Sequence, residues 1–357
     1  MATSVTALRI RDFTSIRDAT VRLGDLNILI GANGSGKSNL IRALELLGRI
    51  VDGDLQIFFG TNGFYATMHQ PSPGDITLEI DSGSYGYRAV LLPARDDLAV
   101  FAEESVRTGD MRHPLGRGHR ESKLQDAAAG NDAAARAVVD VLAGCRVFHF
   151  NDTSVNAPPK RRTSTADNLA LRFDGSNLAA YLLRLAGLPD PAYRRIVGAI
   201  RLVAPFFDDF VLEIDPPDSL LLRWRQVDSD AVFSANQLSD GTLRFICLAT
   251  LLLSPKLPRL VVLDEPELGL HPFAIVQLAG MLRSASVRSQ VVVATQSVTL
   301  MNLFEPSDLI VAGRRGGEST FDRLDPDELQ VWLAEYSLGE LWEKNILGGR
   351  PGPERRS

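Results

Sequence analysis

Residues 31–38 read GANGSGKS, and this glycine-rich stretch decides the fold because of what flanks it. The apolar run LNILI precedes it and predicts a buried strand, while SNLIRALELLGRI follows with apolar side chains at helical spacing. The stretch fits the pattern GxxxxGK[ST], with its fixed positions at Gly31, Gly36, Lys37 and Ser38. The sequence therefore predicts a strand, a phosphate-binding loop and a helix in immediate succession.

Each part of this loop has a chemical reason to hold a phosphate chain. Glycines let successive backbone N–H groups surround the phosphates, and the N-terminus of the following helix attracts anions. Lys37 is expected to reach the β- and γ-phosphates, and the hydroxyl of Ser38 is expected to ligate Mg²⁺. The structural alternative is a glycine-rich turn that only begins a helix, and for Asn33 it is polar filling of the loop. The nucleotide-binding residues predicted here are Gly31, Asn33, Gly34, Ser35, Gly36, Lys37, Ser38 and Asn39.

A second motif, LVVLDEP, ends in two carboxylates at positions 264 and 265. A carboxylate at the end of a buried strand is costly unless a ligand or a partner compensates its charge. Asp264 is predicted to hold Mg²⁺ at the carboxyl end of the strand, where open α/β sheets bind ligands. Glu265 would then orient or deprotonate the attacking water. The structural alternative is a pair of carboxylates that starts a solvated turn.

The third motif, QLSDGTLRF, lies one helix before the DEP strand. Ser239 is suited to cap the helix that follows it, and Gly241 permits the close approach of another backbone. Helix caps of this kind are common, so the motif gains its meaning from its position between the phosphate loop and the two carboxylates.

The order GANGSGKS, LSDGT, VVLDEPELGLHP and ATQS resembles ABC-type ATPases of the RecF/SMC/OLD-like branch, and within it small bacterial AAA-family predicted ATPases. Transporter ATPases carry LSGGQ where this chain has LSDGT. The resemblance runs from ALRIRDFTSIRD, through VFHFNDTS, to WLAEYSLGELWEKNILGGRP. It implies an α/β fold, an ABC-type ATPase head with a mixed or parallel central sheet, an N-terminal antiparallel β layer and a helical insertion.

The resemblance also implies a dimer in which two chains enclose two ATP molecules. Ser239, Asp240 and Gly241 would contact the γ-phosphate bound to the other chain, and residues 267–271 would lie across the interface. For His271 a turn role before Pro272 is the alternative. Gln296 stands where many such ATPases have a histidine; a glutamine can donate a hydrogen bond to phosphate but cannot carry the charge. The predicted catalytic residues are Glu265, Lys37 and Gln296, and the predicted metal ligands are Ser38 and Asp264.

Four segments are predicted along the chain. Residues 1–104 form a lobe with the phosphate loop and a β layer, 105–235 a helical insertion with polar linkers, 236–345 a lobe of alternating strands and helices, and 346–357 a tail. ALRIRDF, ATVRL and LNILI are interpreted as a meander, and residues 106–132 as an exposed loop or mobile insertion. No sustained heptads occur, so no long coiled coil is expected.

Charge and composition bear on possible partners and on the location of the protein. The net charge of −6 weighs against a surface devoted to nucleic acid, although the basic runs 107–123 and 160–162 are candidates for DNA contacts, with solvated loops as the alternative. Cys247 lies in an apolar run and is predicted to be a buried core thiol, and His149 a packed strand residue. Neither a membrane-spanning run nor a signal peptide is evident, so a cytoplasmic location and no membrane partner are expected.

Two functions fit these observations. The first is a slow ATPase, dimerised by ATP and Mg²⁺, that acts in DNA repair, DNA maintenance or anti-phage defence. The alternative is an ATP-dependent switch that controls a separately encoded effector such as a nuclease or toxin. For the glutamine that closes over the nucleotide in such ATPases, Gln56 and Gln70 are candidates and neither is assigned.

Overall fold

The chain folds into strands and helices of modest length, which a computed structural model describes for residues 4–70, 74–143 and 145–348. The strands are β1 (Ala7–Phe13), β2 (Ile16–Arg22), β3 (Leu26–Ile30), β4 (Ile76–Ser82), β5 (Tyr85–Pro93), β6 (Ala99–Thr108), β7 (Met111–Gly116), β8 (Arg146–Phe148), β9 (Thr163–Ser164), β10 (Phe207–Val211), β11 (Ser219–Leu220), β12 (Arg223–Gln226), β13 (Val232–Ser234), β14 (Leu260–Asp264), β15 (Gln290–Thr295), β16 (Leu309–Arg315) and β17 (Glu318–Arg323). The α-helices are α1 (Lys37–Asp52), α2 (Leu55–Asn62), α3 (Phe64–Thr67), α4 (Leu124–Ala129), α5 (Ala133–Leu142), α6 (Leu178–Ala186), α7 (Ala192–Val203), α8 (Asp240–Leu252), α9 (Pro272–Ser286), α10 (Val298–Met301), α11 (Pro326–Leu333) and α12 (Leu338–Glu343).

Packing divides the described residues into two compact units. Unit 1 comprises those of 1–147, 258–262 and 289–357, and unit 2 comprises those of 148–257 and 263–288. Both units are discontinuous in sequence, whereas the four segments predicted above are continuous. Those segments remain a prediction about domains.

The first sheet of unit 1 is antiparallel and has the order β2-β1-β4-β5-β6-β7. Strands β4, β5 and β6 confirm the predicted N-terminal antiparallel β layer. The prediction of a loop for 106–132 is wrong, because Val106 pairs with His113 in a β6–β7 hairpin and helix α4 follows. The fully buried carboxylate of Glu104 on β6 holds the segment between β7 and α4 against the sheet. It accepts hydrogen bonds from the phenol of Tyr87 on β5 (2.8 Å) and from the backbone N–H of Lys123 in that segment (2.9 Å).

The second sheet of unit 1 has the order β17-β16-β3-β15-β14-β8. Strand β3 pairs in parallel with both β15 and β16, and all five of its residues are buried. The interpretation of β1, β2 and β3 as one meander is therefore wrong: β1 and β2 pair with each other, while β3 joins the other sheet. A strand without alternation of apolar and polar residues is typical of a sheet covered on both faces, which explains the difference.

Helix α1 belongs to the main core of unit 1. Leu40, Leu44 and Leu47 on this helix share one buried cluster with Leu8 of the first sheet and Val292 of the second. The helix that begins at the phosphate loop is therefore fixed by apolar burial along its length, which contributes more to helix stability than intrinsic propensity does.

Unit 2 contains helices α6 to α9 and the small antiparallel sheet β10-β12-β13. Helices α6 and α7 lie within residues 105–235, where a helical insertion is predicted, and β10 pairs with β12 in the antiparallel sense. Cys247 on α8 is buried, as predicted, and burial raises the pKa of its thiol to about 12.

The described helices are short. The longest, α1, has 16 residues, so the described part of the chain contains no long coiled-coil arm, as predicted. Nor is any described helix long and apolar enough to traverse a lipid bilayer.

Candidate functional site

The phosphate loop connects the end of β3 to the start of α1 in unit 1. The ammonium of Lys37 donates hydrogen bonds to the carbonyl oxygens of Gly31 (2.6 Å) and Ala32 (3.1 Å). The loop therefore curls around its own lysine and holds the cation inside the curve. Asn33, Gly34 and Ser38 are exposed at the rim of this loop, and Ser35, Gly36 and Lys37 are buried.

Gly36 shows why the loop needs glycine. Its φ is 107°, which is in the region that residues with a side chain rarely adopt, and a Cβ there would collide with the hydroxyl of Ser319. Ser319 lies on β17 and its hydroxyl is 2.6 Å from that of Ser15, which in turn accepts a hydrogen bond from the amide of Asn39 (2.6 Å). Asn39 therefore anchors the loop to the N-terminal hairpin, and its predicted nucleotide contact stays a prediction.

The loop fits a phosphate chain and a magnesium ion. The N-terminus of α1 has no side-chain cap, so the N–H groups of its first turn face the loop without a capping acceptor. Among the described residues, no group makes a hydrogen bond with the buried hydroxyl of Ser35. The exposed hydroxyl of Ser38 in the first turn is the kind of oxygen ligand that Mg²⁺ accepts. A phosphate chain would accept hydrogen bonds from the N–H groups and the Ser35 hydroxyl, and its Mg²⁺ would bind the Ser38 hydroxyl.

Gln296 follows β15 directly, and its side chain lines a recess of about 150 Å³ in unit 1. The recess is also lined by Gly31 of the phosphate loop and by Trp342 of α12. The fold therefore brings Gln296 to the phosphate loop, as its predicted role requires. No local sequence pattern marks Trp342 as a site residue, because only the docking of the C-terminal helix α12 places it beside Gln296.

The two carboxylates of the second motif lie at the end of β14, whose last residues belong to unit 2. Asp264 and Glu265 are both half-buried, and Glu265 has a φ of 46°. A residue with a side chain in this left-handed region is uncommon and costs about 1 kcal/mol or more, and such strain clusters at functional sites. Carboxylate oxygens suit Mg²⁺, so Asp264 fits the metal-ligand role predicted for it.

The segment after Glu265 forms a turn that leads into α9. His271 caps this helix, because its Nδ1 accepts a hydrogen bond from the backbone N–H of Phe273 (3.3 Å). The turn role considered for His271 is therefore present, and its imidazole is also exposed. The predicted role of residues 267–271 at an interface remains a prediction.

The third motif begins α8 in unit 2. Ser239 is the N-cap residue, and its hydroxyl accepts a hydrogen bond from the backbone N–H of Thr242 (3.2 Å), while Asp240 is exposed in the first turn. A Cβ on Gly241 would lie only 2.5 Å from the carbonyl oxygen of Gly269. Helix α8, called the signature helix below because it begins with this third or signature motif, thus touches the segment after Glu265 backbone to backbone. This close contact explains the glycine at position 241.

Arg244 is a residue that sequence analysis missed. It is buried on α8, and its guanidinium donates hydrogen bonds to the carbonyl oxygens of Phe150 (3.1 Å) and Asn151 (3.2 Å). Desolvation by burial lowers the pKa of this guanidinium. These two hydrogen bonds connect the VFHFNDTS stretch to α8. At the end of the stretch, the side chain of Asp152 accepts a hydrogen bond from the backbone N–H of Ser154 (3.0 Å). An arginine inside an apolar helix was the available signal.

Several other candidates have structural partners within their own unit. The amide of Gln56 donates hydrogen bonds to the carbonyls of Ala99 (3.1 Å) and Arg120 (2.6 Å), whereas Gln70 is exposed. In the basic runs, Arg112 pairs with Glu79 at 2.7 Å and Arg162 with Asp215 at 2.8 Å. Over the ranges the structure describes, no cluster of His, Cys, Asp and Glu side chains could hold a metal ion. The prediction of a packed strand residue for His149 is wrong, because β8 ends at Phe148 and His149 is exposed after it.

Known proteins resemble this chain in both sequence and fold. Nod factor export ATP-binding protein I of Neorhizobium galegae is 29% identical over 133 residues, which are 32% of this chain and 38% of that protein. The chain thus matches well under half the length of this relative. The crystal structure of an SMC head bound to the C-winged-helix domain of ScpA superposes with a TM-score of 0.56 at 15% identity, covering 92% of this chain and 99% of that one.

A second solved structure gives the same picture. An Smc head domain with an extended coiled coil, bound to the C-terminal domain of ScpA derived from Pyrococcus furiosus, superposes with a TM-score of 0.55 at 15% identity, covering 93% of this chain and 99% of that one. At this identity the likeness concerns the fold alone. It confirms the predicted fold class, a head-like fold of mixed α/β architecture.

The family assignment comes from the sequence match. Residues 26–88 and 112–302 match the family described as "AAA domain, putative AbiEii toxin, Type IV TA system". The matched residues are well over half of the chain, and they contain the phosphate loop, the signature motif, the two carboxylates and Gln296. The chain therefore belongs to this AAA-domain family and is an ATP-binding P-loop ATPase of the ABC/SMC-like type.

Proposed function

We propose that the chain binds Mg-ATP and hydrolyses it slowly to ADP and phosphate as a homodimer that closes around the nucleotide. The observation that carries this proposal is the phosphate loop. Its lysine ammonium lies 2.6 Å from a loop carbonyl oxygen, beside an uncapped helix N-terminus. A cation and a helix end that face one concave loop favour a polyphosphate over other anions of similar size.

Each site residue has one role in the proposed reaction. Lys37 exchanges its loop carbonyls for the β- and γ-phosphate oxygens, and the N–H groups at the start of α1 hold the β-phosphate. Glu265 orients the attacking water and accepts its proton, and Gln296 donates a hydrogen bond to the γ-phosphate from the recess beside Gly31. In the loop, Asn33, Gly34 and Ser35 line the phosphate path.

Magnesium completes the proposed site. Ser38 and Asp264 are its proposed protein ligands, and both offer the hard oxygen atoms that this ion requires. When bound, Mg²⁺ would neutralise negative charge on the β- and γ-phosphates.

The surface beside the signature helix supports a homodimer. Leu268, Phe273 and Val276 are 52%, 48% and 46% exposed, although all three are large apolar side chains. Phe273 and Val276 are three residues apart on α9 and so share one face of the helix. Clustered exposed apolar side chains mark interaction surfaces, and a second copy of the chain would cover these while Ser239, Asp240 and Gly241 approach its nucleotide.

Two alternative biological processes are proposed for the ATPase. The first is DNA repair, DNA maintenance or anti-phage defence in the cytoplasm, as the RecF/SMC/OLD-like resemblance suggests. The second is an ATP-dependent switch for a separately encoded effector, which the family description favours because it names a toxin of a type IV toxin–antitoxin system. The internal ion pairs of Arg112 and Arg162 also leave these residues less suited to bind DNA.

ATP binding is tested first by Lys37→Ala. We expect the affinity for Mg-ATP, measured by calorimetry, to fall at least about tenfold, since hydrogen bonds from a charged donor contribute about 1.5–3 kcal/mol. Lys256→Ala removes an exposed lysine and is the matched control. If the wild-type protein binds no nucleotide, the proposed function is rejected.

Hydrolysis and dimerisation are tested by Glu265→Gln. Because the amide cannot accept a proton, turnover should fall by about 10²-fold or more while ATP still binds. The variant should accumulate as a dimer in saturating Mg-ATP during sedimentation. A monomer under these conditions would rule out the enclosed-nucleotide dimer.

The two processes are separated by measuring ATP hydrolysis with single-stranded DNA, double-stranded DNA and DNA ends. Stimulation by any of them supports a DNA role. A stable complex with the product of a neighbouring gene, formed equally well with and without DNA, supports the effector switch.

A further inference from the structure

The C-terminal part of the chain reaches the phosphate loop although it lies beyond the family match, which ends at residue 302. Helix α12 carries Trp342, and this half-buried indole lines the same recess as Gly31 and Gln296. The recess has about 150 Å³ of empty space, part of which is open to solvent. Trp342 and Gln296 therefore lie side by side in the lining of one recess.

Helix α12 holds the indole at a defined position. Ser337 and Glu340 cap the helix reciprocally, because the backbone N–H of Ser337 donates to Glu340 (2.8 Å) and that of Glu340 donates to Ser337 (3.3 Å). Leu341, the residue before Trp342, is fully buried. A capped helix with a buried anchor limits the movement of the next side chain.

The surface that α12 packs on begins directly after Gln296, the residue proposed to contact the γ-phosphate. Ser297, which follows Gln296, caps α10 by accepting a hydrogen bond from the backbone N–H of Leu300 (3.1 Å). The backbone N–H of Gly339 on α12 donates to the side-chain oxygen of Asn302 (2.6 Å) at the end of α10, and a Cβ at Gly339 would collide with Val298. Thus α12 lies against the short helix α10, which starts two residues after Gln296.

We propose that Trp342 is a positioning residue of the phosphate switch: its indole wall keeps the side chain of Gln296 directed at the γ-phosphate beside Gly31. The proposal rests on the proposed function, because it assumes that nucleotide occupies the loop. When ATP binds, Gln296 and the indole remain neighbours in the lining of this recess. A change at the γ-phosphate therefore reaches α12 through contact, and the C-terminal helix senses which nucleotide is bound.

The first test uses tryptophan fluorescence. The chain has three tryptophans, and only Trp342 lines the recess. A non-hydrolysable ATP analogue should change the emission of the wild-type protein more than ADP does. This difference should vanish in Trp342→Phe and persist in Trp332→Phe, which alters a partly exposed tryptophan in α11. An equal response in wild type and Trp342→Phe would overturn the proposal.

The second test separates positioning from binding. In Trp342→Ala the kcat for ATP hydrolysis should fall about tenfold to a hundredfold, since a displaced catalytic contact costs this much, while KM for ATP stays within about twofold. Trp342→Phe should recover most of the rate because an aromatic wall remains. An unchanged kcat in Trp342→Ala would refute the role. If wild type binds ATP and hydrolyses it, such a result rejects only this inference and leaves the proposed function standing.

Discussion

The contact between Gly241 and Gly269 provides a sharp test of the signature motif. Gly241 lies in the first turn of α8 without a positive φ, so alanine there is compatible with the helix and would by itself stabilise it by up to about 1 kcal/mol. Its Cβ would lie 2.5 Å from the carbonyl oxygen of Gly269, which is 0.9 Å short of the 3.4 Å where ordinary contact begins. Both groups are backbone and cannot rotate away.

The expected cost follows from this geometry. Relieving the clash requires a backbone shift of nearly 1 Å between the signature helix and the segment after Glu265, and overpacking of this kind costs about 1–3 kcal/mol. After the helix-propensity gain, the net loss of unfolding free energy for Gly241→Ala is about 0–2 kcal/mol. A misplacement of about 1 Å at the site should lower the ATP hydrolysis rate about 10²-fold. Function should therefore suffer far more than stability.

The assay compares Gly241→Ala with Gly198→Ala and Gly280→Ala. These two controls lie in helices α7 and α9, are exposed, and have no atom within 4 Å of a new Cβ. They should be as stable as wild type, or up to about 1 kcal/mol more stable, with unchanged turnover. Turnover and urea denaturation are measured for all three. Wild-type turnover in a folded Gly241→Ala protein would show that the backbone contact does not position the site.

Two further predictions concern stability. Arg244→Met removes the donor to the carbonyls of Phe150 and Asn151. It should lower the unfolding free energy by about 1–3 kcal/mol, because the buried carbonyl of Phe150 is left unpaired, whereas the exposed Asn151 can bond water; an unchanged midpoint in urea would contradict this. Burial raises the pKa of the Cys145 and Cys247 thiols from an ordinary 9.0 to about 12, so the unfolded chain loses these protons first as the pH rises. The free energy of unfolding should thus be unaffected by these thiols below pH 9 and should fall between pH 9 and 12, by about 1.4 kcal/mol per pH unit for each thiol. A Cys145→Ala, Cys247→Ala double variant should lose less unfolding free energy over the same pH range.

The local parts of the site could be predicted because their chemistry is contiguous. Residues 31–38 specify strand, loop and helix within one short stretch, and the DEP and LSDGT motifs likewise carry their caps and carboxylates with them. The buried state of Cys247 followed from its apolar neighbours in the same helix. In each case the deciding interactions join residues a few positions apart, so the pattern along the chain contains them.

The pairing partners of the strands, and the presence of regular structure in the polar stretch 106–132, could not be predicted in the same way. Strand β3 follows β2 closely in sequence and yet pairs with β15 and β16, and the polar stretch 106–132 contains a hairpin that the buried carboxylate of Glu104 holds in place. Both outcomes depend on which surfaces are left to be covered after the other strands have paired.

By itself, then, the sequence determined a phosphate-binding chain with two carboxylates and a signature helix, because those features are set by residue type and short-range spacing. Tertiary structure alone decided that Ser319 closes on Gly36, that Gly241 touches Gly269, and that Trp342 stands beside Gln296. These contacts join residues that are between 28 positions apart, for Gly241 and Gly269, and 283 positions apart, for Gly36 and Ser319. Their formation depends on the packing of whole sheets and helices, which no local pattern encodes.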